Sequence, residues 1–165
     1  MNKKNYISLA KKSAEIQISE LKKIKKVLNN SFVKAVDLIL NCKGKIIFAG
    51  IGKYGLIARK ISATFSSVGI PSFFCDPAQA LHGDMGQIEK RDVLIIFSYS
   101  GNTSELNNML KYANRYRIKI IGVASKSDSI LLKASDVKLL LPKVREADLT
   151  GICLLYTSPS PRDRS

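Results

Sequence analysis

The spacing of apolar residues changes near residue 45. Upstream, Ala14, Ile18, Leu21, Ile24 and Leu28 recur at three- and four-residue intervals with lysines opposite, which predicts an amphipathic helix over residues 8–29. A second helix is predicted over 32–41, ending near Gly44. Downstream, short continuous apolar runs take over, at 45–49, 71–75, 92–97, 118–124 and 137–141. Helical segments separate most of them, notably 53–67 and 106–116. Near-continuous apolar strands alternating with helices predict an α/β domain, a five-stranded parallel sheet covered on both faces, with N-terminal helices. In such sheets ligands bind beyond the carboxyl ends of the strands, where the chain's winding reverses. The loops after the first and third strands, both polar and glycine-containing, are therefore the expected site.

Composition narrows the class. A chain of 165 residues corresponds to one domain with a core that needs no disulfides. Cys42, Cys75 and Cys153 are scattered without CxxC spacing, which argues against a zinc or disulfide framework and for a reducing compartment. No apolar run reaches the ~18 residues of a membrane span. The basic start of the chain is not followed by the apolar stretch of a signal peptide. The expectation is a cytoplasmic protein with no membrane partner.

The net charge of +14 raises nucleic-acid binding as a class. However, residues 1–45 hold eleven lysines against three acids, mostly along one periodic segment, and the remaining excess is dispersed. There is no Trp, and no aromatic residues interleave the lysines as in a stacking platform. The charge reads as a solvated helix face that would still attract anionic substrates, with no nucleic-acid partner. Residues 153–165, with two Ser-Pro steps and a charged end, fit neither helix nor strand and read as a non-native tail after a truncated reading frame. That divides the chain into a helical segment (1–44), the body of the same domain (45–152) and the tail.

Chemistry concentrates in Ser98-Tyr99-Ser100-Gly101-Asn102-Thr103-Ser104-Glu105, between the third strand and its helix. Hydroxyls and a glycine gathered at a helix N-terminus, where backbone N–H groups lack partners, suit a phosphate. Glu105 has two readings, a base beside that cradle or the last member of a capping box begun at Asn102. Gly50-Ile51-Gly52-Lys53-Tyr54-Gly55 matches GxGxxG, and Asp76 ends the second strand, so a dinucleotide site is a competing reading. That site would leave the hydroxyl-rich loop unexplained. Lys53 reads as a surface lysine or as a point charge for a phosphate or a developing oxyanion. His82, the single histidine, sits in a polar turn and reads as structural or ligand-touching. Glu146 follows the fifth strand in a charged turn.

Together, Gly50–Gly55, Pro71-Ser72-Phe73-Phe74, His82-Gly83-Asp84-Met85-Gly86 and Ser98–Glu105 resemble the sugar isomerase (SIS) domain family, most closely its arabinose-5-phosphate isomerase branch. The resemblance runs from about residue 8 to residue 152. It implies a three-layer, flavodoxin-like fold and interconversion of D-ribulose 5-phosphate and D-arabinose 5-phosphate through an ene-diol, for Kdo in lipopolysaccharide or capsule. It implies a homotetramer without a cofactor, with Lys53, Glu105 and Glu146 catalytic. Substrate contacts are implied at Gly52, Gly69, His82, Ser98, Ser100, Asn102, Thr103 and Ser104. Family members often carry a zinc-binding histidine where this chain has Asp76, so no metal is expected. The family's later histidine-bearing turn is absent, which implies a chain that turns over weakly or not at all. Two alternatives remain within the same fold: a non-catalytic sugar-phosphate-sensing regulator and phosphoheptose isomerase.

Overall fold

A computed structural model of the chain describes residues 3–144. These fall into two compact units, one of residues 3–26 and 142–144, the other of residues 27–141. Among the described residues, no helix is long and apolar enough to cross a membrane.

The first unit carries helix α1 (Lys3–Lys22). The helical period read over 8–29 is broken sooner than expected. A 3-10 stretch covers Lys23–Val27, and Asn29 then caps the next helix by accepting the Ser31 N–H at 2.8 Å. Asn caps favour a new helix start over continuation, because their side chain replaces an intrahelical acceptor. The expected apolar stripe is correspondingly open: Ile18, Leu21, Ile24 and Leu28 are all exposed, while Val27 is buried.

The second unit holds helix α2 (Asn30–Leu40) and alternating strands and helices: β1 (Ile46–Gly50), α3 (Lys53–Ser67), β2 (Ser72–Cys75), β3 (Val93–Phe97), α4 (Leu106–Arg115), β4 (Lys119–Ala124), α5 (Ile130–Ala134) and β5 (Val137–Leu140). All strand pairs are parallel, and the order is β2-β1-β3-β4-β5. Side chains on a strand alternate between faces, and the core divides accordingly. Ile46, Phe48, Val93, Ile95, Ile121 and Val123 join Ala35 of α2 and Ala58 of α3 in one cluster. Ile47, Ala49, Leu94, Ile96 and Ile120 join residues of α4 and α5 in the other. The result is the expected three-layer, flavodoxin-like α/β fold. The winding reverses between β1 and β3, so their outgoing loops flank the switch point.

Two carboxylates, one buried and one exposed, fasten the amino edge of the sheet. Asp92 accepts the N–H of Lys45 and of Glu89, each at 2.8 Å, and pairs with the Lys45 ammonium at 3.2 Å. Between β4 and β5, Asp136 takes the N–H of Ile120 at 2.9 Å and the Lys119 ammonium at 2.6 Å. Burial pushes the Asp136 carboxyl up, but the Lys119 and Ile120 hydrogen bonds outweigh it and leave the group below the ordinary aspartate range.

Asp92→Ala is expected to lower the unfolding free energy by about 3 kcal/mol in urea titrations, since it leaves two donors and an ammonium without their shared acceptor. Asp136→Asn, at a more open site, is expected to cost less than about 1 kcal/mol at neutral pH. Because the folded-state carboxyl is the stronger acid, its contribution is complete above the ordinary aspartate range. It is lost as pH falls through the lower folded value, so the gap between wild type and Asp136→Asn should close on acidification.

Candidate active site

Parallel pairing of β1 with β3 ends at the register pair Gly50↔Phe97. The next residues of each strand therefore leave the sheet side by side. On the β1 side, the backbone runs close to the helix that follows. A Cβ on Gly50 would come within 2.9 Å of the Tyr54 carbonyl, and one on Gly55 within 2.8 Å of the Gly50 oxygen. These two glycines let α3 start against the end of β1. Gly52 caps α3 at φ +58° in open space. The GxGxxG match is thus accounted for by a tight strand-to-helix turn. Lys53 is the first residue of α3, and its ammonium is shielded from solvent. A cation at a helix N-terminus opposes the helix dipole, so this position is not one that helix stability selects.

The serine loop leaves β3 with its shape fixed from inside and outside. Inside, the buried Ser98 hydroxyl bonds Thr103 Oγ1 at 2.9 Å and accepts the Gly101 N–H at 3.1 Å. Ser100 Oγ accepts the Asn102 N–H at 3.3 Å, which leaves the hydroxyl proton to donate elsewhere. Outside, the β4–α5 turn holds the loop. Ser125 donates its N–H and its hydroxyl to the Tyr99 oxygen at 2.8 and 2.7 Å. The Gly101 oxygen accepts the Leu131 N–H at 3.0 Å, and Asn102 Oδ1 accepts that of Ile130 at 2.9 Å. Gly101 is buried at φ +65°, and a Cβ there would overlap the Ser129 side chain. Sequence reading missed this turn as part of the site. Its signal was Ser129, an N-cap residue directly ahead of the apolar Ile130-Leu131-Leu132.

The capping box read at Asn102–Glu105 does not form. Asn102 spends its side-chain oxygen on Ile130, and α4 begins only at Leu106, with Glu105 in the cap position. The Glu105 side chain is exposed, and its own backbone N–H and the Ser104 hydroxyl (2.8 Å) hold its carboxyl below the ordinary glutamate range. It is therefore a carboxylate at neutral pH.

The remaining residues divide by edge of the sheet. His82 closes a 3-10 turn (Ala80–His82) downstream of β2. That turn is anchored by the buried Ala80 in the same cluster as Leu106 and Met109. His82 itself is exposed. Asp76 is committed locally: Oδ1 accepts the Ala78 N–H at 2.9 Å and its backbone oxygen that of Ala80 at 2.8 Å. Among the described residues, no group of three His, Cys, Asp or Glu is arranged to hold a metal ion. Cys75, just before Asp76, is buried, and desolvation together with the Asp84 and Asp76 charges pushes its thiol to about 11. Gly69 lies elsewhere. It follows the C-cap of α3 at φ +85°, as helix termination requires, and lines an apolar cavity of about 210 Å³ with Ile46 and Pro71 at the amino edge of the sheet. The structure therefore brings Gly52, Lys53 and the Ser98–Glu105 loop together at the carboxyl edge, and does not bring Gly69 to them. Glu146 lies outside the described residues.

Gly52 and Gly101 share a left-handed backbone but differ in surroundings, which separates two costs. Gly52→Ala is expected to destabilise by about 1 kcal/mol, the conformational penalty alone. Gly101→Ala adds overlap with Ser129 and is expected to exceed it by at least about 1 kcal/mol in thermal unfolding. Equal effects would contradict the packing described for the serine loop.

A model of the SIS domain matches residues 39–160. Over 154 residues the chain is 36% identical to Escherichia coli K12 arabinose 5-phosphate isomerase GutQ, covering 93% of this chain and 46% of the relative. It is 42% identical over 151 residues to an uncharacterised Rickettsia prowazekii protein, covering 92% and 47%. The chain thus spans about half the length of the curated relatives it matches. Among solved structures, Escherichia coli CFT073 c3406 in complex with arabinose 5-phosphate superposes with a TM-score of 0.83 at 35% identity, over 93% of this chain and 81% of that one. With a parallel sheet in the order β2-β1-β3-β4-β5, a serine loop at its switch point and these likenesses, the chain belongs to the SIS-domain family.

Proposed function

We propose that this chain carries the site of an arabinose-5-phosphate isomerase, binding D-arabinose 5-phosphate and D-ribulose 5-phosphate with the phosphate on the serine loop. The observation that carries this reading is the loop's construction. Ser98 is consumed inside the loop, whereas Ser100 retains a donor proton on the loop that leads from β3 into α4. The relatives named as arabinose 5-phosphate isomerases and the solved relative in complex with arabinose 5-phosphate support the ligand class.

Aldose–ketose interconversion removes a proton from C2 of the aldose or C1 of the ketose and returns it to the other carbon through an ene-diol. The hydroxyl protons of the two oxygens exchange in the same cycle. A phosphate anchored away from the reacting carbons orients them and makes the transfer effectively intramolecular. In this reading Glu105, a carboxylate at neutral pH, or Glu146 receives the carbon-bound proton. The Lys53 ammonium, shielded from solvent, offsets the charge that develops on the substrate oxygen. The proposal also takes the working form to be a cytoplasmic homotetramer without a cofactor.

The test is ligand titration of the chain, together with proton exchange in D₂O. Arabinose 5-phosphate should bind at least about tenfold more tightly than arabinose, and Ser100→Ala should weaken it by about threefold to tenfold. Equal affinity for the phosphorylated and unphosphorylated sugars overturns the ligand reading. In a version of the chain extended to the length of its relatives, deuterium should enter C1 of ribulose 5-phosphate and C2 of arabinose 5-phosphate; binding there without any exchange overturns the isomerase reading. A loss of about a hundredfold in exchange for Glu105→Gln assigns that residue as the base. An unchanged rate moves the role to Glu146.

A further inference from the structure

We propose that Asn102 is a positioning residue, whose side-chain oxygen, held on the Ile130 N–H, locks the serine loop against the start of α5 so that Ser100 and Thr103 face the ligand. The family resemblance places it among the substrate contacts instead, and the inference rests on the sugar-phosphate reading of that loop.

Three observations carry it. First, the side-chain atom involved is fixed by chemistry: only the amide oxygen can accept from the Ile130 N–H at 2.9 Å, so the NH₂ group is turned away from that bond. Second, the bond is one of a set. The first N–H donors of a helix have no partners within it. In α5, Ile130 donates to Asn102, Leu131 donates to the Gly101 oxygen at 3.0 Å, and Leu132 donates to the Ser129 hydroxyl at 3.4 Å. Two of the three are capped by the serine loop. A helix of five residues has little stability of its own, so its start and the loop depend on each other. Third, the backbone of Asn102 is tied to the other side of the loop, its N–H lying on Ser100 Oγ at 3.3 Å. Releasing the side chain therefore loosens the residue that fixes the Ser100 hydroxyl and leads directly into Thr103.

The structure also supplies a test that leaves Asn102 intact. Ile130 is the first residue of α5 and is 47% exposed, and its N–H is donated to Asn102. Proline is favoured at that helical position and lacks only the N–H. The preceding residue, Ser129, has φ −64° and ψ 153°, the conformation that a following proline demands. Ile130→Pro thus removes the donor without touching the loop.

The full chain and the variants Asn102→Ala, Ile130→Pro and their combination are compared. Affinities for arabinose 5-phosphate and inorganic phosphate are measured by titration calorimetry, and ligand-free exchange of the Gly101 and Asn102 amides by NMR. Each single variant should bind both ligands about threefold to tenfold more weakly, the scale of one net hydrogen bond. The double variant should be no weaker than the poorer single, because both remove the same bond. Exchange of the two amides should accelerate in all three. Wild-type binding in Ile130→Pro with impaired binding in Asn102→Ala overturns the proposal and makes Asn102 a direct ligand contact. If the wild-type chain binds neither ligand, the sugar-phosphate reading fails, and the exchange measurement alone decides. Unchanged loop amides in Ile130→Pro then overturn the positioning role. Should Ile130→Pro not fold, Asn102→Asp, which keeps the acceptor oxygen, must retain wild-type amide exchange while Asn102→Leu accelerates it. The same rate in both overturns the proposal.

Discussion

Everything at the carboxyl edge depends on the pairing of β1 with β3. These strands are not consecutive in the chain, and β2 is laid down on the far side before the chain returns. Their register runs from Ile46↔Val93 to Gly50↔Phe97, and both strands are apolar on both faces. That double burial is what makes the return crossing favourable. It also decides which loops become neighbours: one ends in Lys53, the other begins with Ser98. The lower end of the same pair is pinned by Asp92, whose carboxylate gathers Lys45 and Glu89 backbone donors. The site is therefore braced from the opposite edge of the sheet by a group that takes no part in it.

The site itself is a loop whose polar groups are unequally committed. Ser98 is buried and consumed internally, Ser104 is spent on Glu105, and Asn102 on Ile130. Three hydroxyl or amide side chains in the same short stretch therefore do architectural work, and they define where the uncommitted donors lie. A loop rich in hydroxyls is not by that fact a loop rich in ligand contacts. Its reactive surface is what remains after the internal bonds are made.

Most of the fold was legible because strand and helix periods differ so plainly after residue 45. The boundaries that moved did so for identifiable reasons. Lys45 sends its N–H to Asp92 rather than into the ladder, so β1 begins one residue late. Ile118 gives its N–H to Ala113 at the end of α4, so β4 does too. Gly50, read as turn, pairs with Phe97 and extends β1. The N-terminal helix was overextended because a hydrophobic period does not separate an α-helix from the 3-10 stretch over Lys23–Val27, nor does it register Asn29, whose side chain starts the next helix. At the site, the loops after β1 and β3 were identified from topology alone. What was not legible was the partner of Asn102. A capping box is a local pattern, and the spacing of Asn102 to Glu105 satisfies it, yet a donor 28 residues away in sequence wins. Long-range competition for a single side-chain oxygen leaves no trace in spacing.

Cys75 illustrates how the same packing governs chemistry at a distance from any reaction. Burial of its thiol, with the charges of Asp84 and Asp76 added, raises its pKa to about 11. At neutral pH only on the order of one molecule in ten thousand carries the thiolate that attacks electrophiles and peroxides. A sulfur placed at the end of β2 is thus chemically quiet. Burial first, and the neighbouring carboxylates second, hold it in the thiol form, so the packing that closes the end of β2 also sets the reactivity of the sulfur inside it.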